Sequence, residues 1–120
     1  MLDDPEHRQL IVNMVQEFKR RVLEKEGENI QELIVFGSVA RYEEVEGSDI
    51  DIFVLLKEYS RGKKELIYHI AFDVSAEMSH LKIMISPYVT GLEKYIKTRQ
   101  RDLLFYVIDE EGVVIYDADA

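Results

Sequence analysis

The apolar run Leu33-Ile34-Val35-Phe36 breaks off at Gly37-Ser38, and after ten intervening residues a second apolar stretch opens as Asp49-Ile50-Asp51-Ile52. This pairing constrains the fold more than any other feature. One strand leaves through a glycine, and the next enters through two carboxylates. Acidic residues at i and i+2 on a strand project from one face, roughly 7 Å apart at about 3.3 Å rise per residue, and can share a hard cation. A Gly-Ser pair at a strand exit, just before a helical turn, can aim backbone N–H groups at an anion. Together they predict a magnesium-nucleotide site.

The flanking patterns predict what holds these two strands. Asp4 before Pro5 reads as an N-cap with proline at the first helical position. Leu10, Met14, Phe18 and Val22 then recur every fourth residue beside Ile11 and Val15, predicting a helix over 5–26 that Gly27 ends. A buried strand is expected over 30–36, a short helix over 39–42, a polar loop over 43–48 and a second strand over 49–56. Along that second strand Ile50, Ile52 and Val54 share a core-like face, while Asp49, Asp51 and Phe53 share the other, expected to be an exposed face that begins with the carboxylates.

A helix over 61–80 follows from Leu66, Ile67, Ile70, Ala71, Val74 and Met78. A third strand is expected over 81–85, ended by Ser86-Pro87 because proline brings no N–H to a ladder. Thr90-Gly91-Leu92-Glu93 has capping-box spacing, so a helix should start near Gly91 and run, whole or interrupted, to about residue 110. Glu111-Gly112 is its stop, and 113–116 reads as a terminal strand. Helices alternating with apolar strands give an α/β (α+β) class: a small mixed, twisted sheet flanked by helices, in one domain over 1–120.

At 120 residues and 47% apolar, the chain can bury the core of a single domain. No apolar run approaches the roughly 18 residues that span a bilayer, and the start lacks a signal peptide's basic and apolar regions, so a cytoplasmic protein is expected. With no cysteine and three scattered histidines, any metal would be held by oxygen. The formal net charge of −9 argues against duplex nucleic acid as partner. Local basic groups, at Lys19-Arg20-Arg21, at Arg61 with Lys63-Lys64 and over 94–101, read as solvated helix faces.

Nucleotidyl transfer needs an oxygen nucleophile to attack the α-phosphorus of a triphosphate while pyrophosphate leaves, and two divalent ions can lower that barrier. Asp49 and Asp51 are the candidate ligands and catalytic carboxylates. Gly37 permits close backbone approach, and the Ser38 hydroxyl and nearby amides could bind the β- or γ-phosphate. Arg41, three residues on, falls on nearly the same helical face as Ser38 and could offer its planar fork to a phosphate. Taken singly, a Gly-Ser is usually a turn and an Asp-x-Asp a solvated strand end; only their joint placement on successive strands favours chemistry.

The stretch Phe36-Gly37-Ser38, Ala40-Arg41 and Ser48-Asp49-Ile50-Asp51-Ile52 resembles the minimal nucleotidyltransferases of the DNA polymerase β superfamily. The motif covers about 20 residues; the order of elements matches over most of the chain. The resemblance implies that Gly37, Ser38, Arg41 and Ser48 bind the nucleotide, with ATP the expected triphosphate, and that Asp49 and Asp51 bind Mg2+ in a two-ion site. It also implies AMP transfer to a hydroxyl of a protein or small molecule, and pairing with a helical HEPN-type partner as the antitoxin of a toxin-antitoxin pair. A second copy of the chain could equally complete the site.

The family's third carboxylate is expected on the strand after the intervening helix, yet 81–87 contains no acid; Met84 or Ser86 takes its place. Asp73 and Glu77 lie within the predicted helix, where surface roles are expected. Tyr42 stands where the family often has glycine. His69 and His80 could act as acid or base; a surface or edge role is expected for His69, while His80, at a helix-to-strand junction, could approach the sheet end. The competing reading is therefore a catalytically weak or inactive module that binds nucleotide and partner. A polymerase-like enzyme fits worst, for want of a basic groove or a further domain.

Overall fold

The computed structural model describes residues 5–44, 47 and 49–120, so the expected Asp4 cap and the candidate Ser48 lie outside the described residues. Helix α1 (Pro5–Glu26) leads through one 3-10 turn (Gly27–Asn29) into β1 (Ile30–Phe36), followed by the short α2 (Gly37–Ala40) and β2 (Ile50–Leu56). Helix α3 (Arg61–Ser79), β3 (Ile85–Gly91), α4 (Leu92–Thr98), α5 (Leu103–Glu111) and β4 (Val113–Asp117) complete the chain. The sheet has the order β3-β2-β1-β4. β1 is antiparallel to both β2 and β4, and β2 is parallel to β3, which makes the sheet mixed.

The periodicity of α1 does what its spacing implies: Ile11, Met14, Val15, Phe18 and Val22 are buried. They meet Ile67, Ile70, Ala71 and Val74 of α3 and the face of the sheet carrying Leu33, Val35, Ile50, Ile52 and Val54. Each fully buried Leu, Ile or Phe removes apolar area worth about 1.5–3 kcal/mol, so this face is the main source of stability. Ser60 caps α3, its side chain accepting from the Lys63 N–H at 3.2 Å.

The opposite face departs from expectation. Only its first residues are open: Phe53 and Leu55, next along the face from Asp51, are buried with Ile34 beneath Phe105 and Ile108 of α5. Phe53 lies 5.7 Å from Phe105, 5.8 Å from Tyr95 and 6.2 Å from Tyr88, centroid to centroid. A strand covered on both sides reads as a continuous apolar run, and β2 after Asp51 is such a run. The helices of the C-terminal third thus cover most of this face and leave uncovered the end bearing the carboxylates.

The third strand is also displaced, from the expected 81–85 to Ile85–Gly91. His80 and Leu81 take left-handed backbone conformations, φ 53° and 65°, which no strand accommodates. Two buried serines of α3 then claim the following backbone. Ser79 Oγ accepts from the Ile83 N–H at 3.0 Å, and Ser75 Oγ accepts from the Ile85 N–H at 2.9 Å. Pro87 does not end the strand, because β3 is an edge strand, where a missing donor is tolerated. The Thr90–Glu93 capping box is not formed: Thr90 is buried in β3, and Gly91 caps α4 without a side-chain bond. The C-terminal helical stretch is two helices, with Asp102 restarting the second by accepting from the Leu104 N–H at 2.9 Å.

Candidate functional site

At the β1 exit, Gly37 has φ +76°, a region that side chains disfavour. A Cβ there would also overlap Oδ2 of Asp51, whose register partner is Phe36. The glycine is therefore required twice, and the requirement ties the turn directly to a carboxylate on the neighbouring strand. The turn closes through the Arg41 N–H to the Gly37 carbonyl at 3.2 Å and the Glu43 N–H to the Ser38 carbonyl at 2.8 Å. Ser38 is half-buried at the start of α2.

Two residues absent from the sequence reading fix this turn from outside. Arg8 of α1 donates to the Val39 carbonyl at 3.1 Å and to Glu44 Oε1 at 2.9 Å, and its guanidinium lies 3.8 Å from the centroid of the Tyr42 ring. Glu44 is 1% exposed, and the Arg8 guanidinium is the partner that burial of an acidic side chain requires. Tyr42 itself sits at φ 58°, which explains why glycine suits this position; stacking on Arg8 offsets the strain. Nothing in local spacing links residue 8 to residue 44. Only a buried acid in an otherwise polar loop could have hinted at a partner.

Asp49 precedes β2 and is exposed; Asp51 is half-buried within it. Burial, then the neighbouring Asp49 charge, pushes the Asp51 carboxyl above the usual aspartate range, and Arg41 only partly opposes this. Arg41 is engaged elsewhere, donating to Glu111 of α5 at 2.7 Å and to Glu43 at 3.4 Å. The structure thus brings Gly37, Asp51 and Arg41 together, with Arg41 turned toward acids that an incoming phosphate would have to displace.

A divalent cation suits this donor set. Two repelling carboxylates, one of them desolvated, are a pair whose cost a cation would relieve, and magnesium commonly takes only one or two carboxylates beside substrate phosphates. No group of three or more histidine, aspartate or glutamate side chains placed to hold a metal ion occurs among the described residues. Across the β2–β3 ladder, Ser86 is the register partner of Asp51, and the Ile50 N–H donates to the Met84 carbonyl at 2.8 Å. Of Met84 and Ser86, Ser86 is the one in register with Asp51.

The remaining candidates lie apart. Asp73 is exposed on α3, Glu77 pairs with Arg21 at 2.9 Å, and His69 is exposed on the same helix. His80 is the left-handed cap at the end of α3.

A family model described as "Nucleotidyltransferase domain" matches residues 15–110, which include the turn, both carboxylates and β3. A Methanocaldococcus jannaschii protein named "Putative protein adenylyltransferase MJ0141" is 35% identical over 89 residues, 73% of this chain and 85% of that protein. A solved structure titled as a "putative nucleotidyltransferase from Sulfolobus solfataricus" aligns over 92% of this chain and 88% of its own, at 19% identity and a TM-score of 0.45.

Proposed function

We propose a function from one premise: the chain belongs to the nucleotidyltransferase domain family. It transfers AMP from ATP to a hydroxyl of a protein acceptor, with Asp49 and Asp51 holding Mg2+. The observation that carries this reading is the contact between Gly37 and the Asp51 carboxylate, which builds the phosphate turn and the metal ligand as one unit. The acceptor is assigned to protein because the Methanocaldococcus jannaschii relative is named as a protein adenylyltransferase. A helical HEPN-type protein, with this chain as its antitoxin in the cytoplasm, is the partner the motif resemblance favours.

Each residue has a task that its position permits. Gly37 leaves room for a phosphate to approach the backbone, and Ser38 offers its N–H and hydroxyl to the β- or γ-phosphate. Arg41 exchanges Glu111 and Glu43 for phosphate oxygens, which its fork can bind in pairs. Bound Mg2+ would supply charge neutralisation at the α-phosphate and at the departing pyrophosphate. The acceptor oxygen bonds to the α-phosphorus as the bond to pyrophosphate breaks, and its proton passes to solvent. Ser86, facing Asp51, cannot accept the acceptor's proton as a carboxylate would, so the intrinsic rate is expected to be low.

That serine is also the observation favouring a second reading, a nucleotide- and partner-binding module without efficient transfer. One experiment separates the two. The chain is incubated with α-labelled ATP, Mg2+ and the protein encoded beside it, using wild type and Asp49→Ala/Asp51→Ala. Label on the partner that disappears in the double variant supports transfer. Neutralisation of the partner by a folded double variant, without labelling by either protein, supports the binding module instead.

A further inference from the structure

A groove of about 900 Å3 runs beside β3, on the edge of the sheet away from the phosphate turn. Lys57, Lys64, Lys94 and Lys97 line it against only two acids, Glu58 and Glu93, and Glu93 is already paired with Lys97 at 3.1 Å. In a chain of net charge −9 this is a local reversal of sign. Tyr68 forms part of its wall, with the Lys64 ammonium 5.5 Å from its ring centroid. Tyr68 also lines a second, smaller cavity that continues beside Pro87 and Ser86 and carries the exposed ring of Phe72. The two cavities adjoin at Tyr68 and lie in succession along β3, from the lysines to the residue in register with Asp51.

The order of strands says what should arrive there. Attacking and leaving oxygens stand roughly in line across the phosphorus in a nucleotidyl transfer. The phosphate turn leaves β1, the carboxylates lie on β2, and β3 is on the far side. Pyrophosphate over β1 therefore places the nucleophile over β3. Nor does the edge invite a further strand. Met84 directs its carbonyl to β2, so by alternation Pro87 faces outward, where it supplies no N–H for a ladder. A visitor is thus recognised through its side chains, by lysines and aromatic rings.

We propose that this track docks an acidic, extended segment of the acceptor protein and delivers its hydroxyl to the Asp49–Asp51 pair; the proposal rests on the protein-acceptor reading given above. Lys57 follows Leu56, the register partner of Gly91, and Gly91 is five positions beyond Ser86, so the lysines begin roughly 17 Å from that serine at about 3.3 Å per residue. The acidic residues of the acceptor therefore stand about five or more positions from the modified hydroxyl. A short acidic segment engages only this groove. A nucleic acid, by contrast, would extend beyond the groove onto a chain whose formal net charge is −9.

The test is equilibrium binding without ATP, so that it is independent of turnover. A fluorescent synthetic peptide with a run of glutamates on one side of a single tyrosine, and its glutamine counterpart, are titrated with the protein and followed by anisotropy. Wild type is expected to bind the glutamate peptide about tenfold more tightly than the glutamine peptide. That preference should vanish in Lys94→Glu/Lys97→Glu, weaken in Lys94→Gln/Lys97→Gln, and persist in Asp49→Ala/Asp51→Ala; all three should keep the wild-type circular dichroism. Equal binding of the two peptides, or an undiminished preference in the lysine variants, overturns the proposal. So does lysine-dependent binding of single-stranded RNA that outcompetes the peptide, or self-association in sedimentation that the lysine variants abolish. A loss of transfer with intact peptide selectivity would count against the catalytic reading alone.

Discussion

At the scale of single residues, the site is held together by costs that a ligand relieves. Asp51 is forced beside Gly37 and Asp49 in a half-buried position, and its carboxyl is pushed up by desolvation first and by Asp49 second. A carboxyl whose folded pKa exceeds its unfolded value contributes stability at low pH that is lost as pH rises through the folded value. Ionised Asp51 is thus a liability to the metal-free fold at neutral pH. Asp51→Asn is expected to raise the metal-free melting temperature by a few degrees at pH 7, and calorimetry should show the gain shrinking as pH falls through the carboxylate range. Addition of Mg2+ and ATP should stabilise wild type and leave the variant unmoved. The juxtaposition of Gly37, Asp51 and Arg41 at a strand exit and a strand entry follows from local signals that the sequence carries. Arg8 and Glu44 were not legible there, since their 2.9 Å contact joins residues 36 apart in sequence and depends on how α1 lies across the loop.

At the scale of elements, legibility followed the range of the forces. Helix α1 and strand β1 fall where periodicity and the Gly27 stop placed them, since both signals are local. The displacement of β3 was hidden because its cause is tertiary: Ser75 and Ser79 of α3 capture the backbone on which a strand would otherwise have started. Serines within or at the end of a helix read as neutral positions, and their partners lie 4 and 10 residues on, in the connection after α3 and at the start of β3. The same blindness hid the cover over Phe53, for alternation cannot say that a later helix will bury the second face. Ser75→Ala would leave the Ile85 N–H buried without its partner, an omission that costs about 1–3 kcal/mol. Urea unfolding should show that loss, with the midpoint lowered and the slope unchanged.

At the scale of the whole molecule, the sheet order assigns separate sides to separate tasks. The Gly37–Arg41 turn, Asp51 and Ser86 follow one another across the sheet at the exit of β1, on β2 and on β3, while α5 closes the aromatic core and supplies Glu111 to Arg41. One bridge therefore links the C-terminal helix to the candidate phosphate ligand. The central claim is that the β1 exit and β2 entry form a single metal-nucleotide site, whatever its turnover. Isothermal titration of ATP into the protein, with and without Mg2+, tests it most directly. The account predicts saturable one-to-one binding that requires Mg2+ and is lost in folded Asp49→Ala/Asp51→Ala. Metal-independent binding, or binding that survives in the double variant, would contradict it.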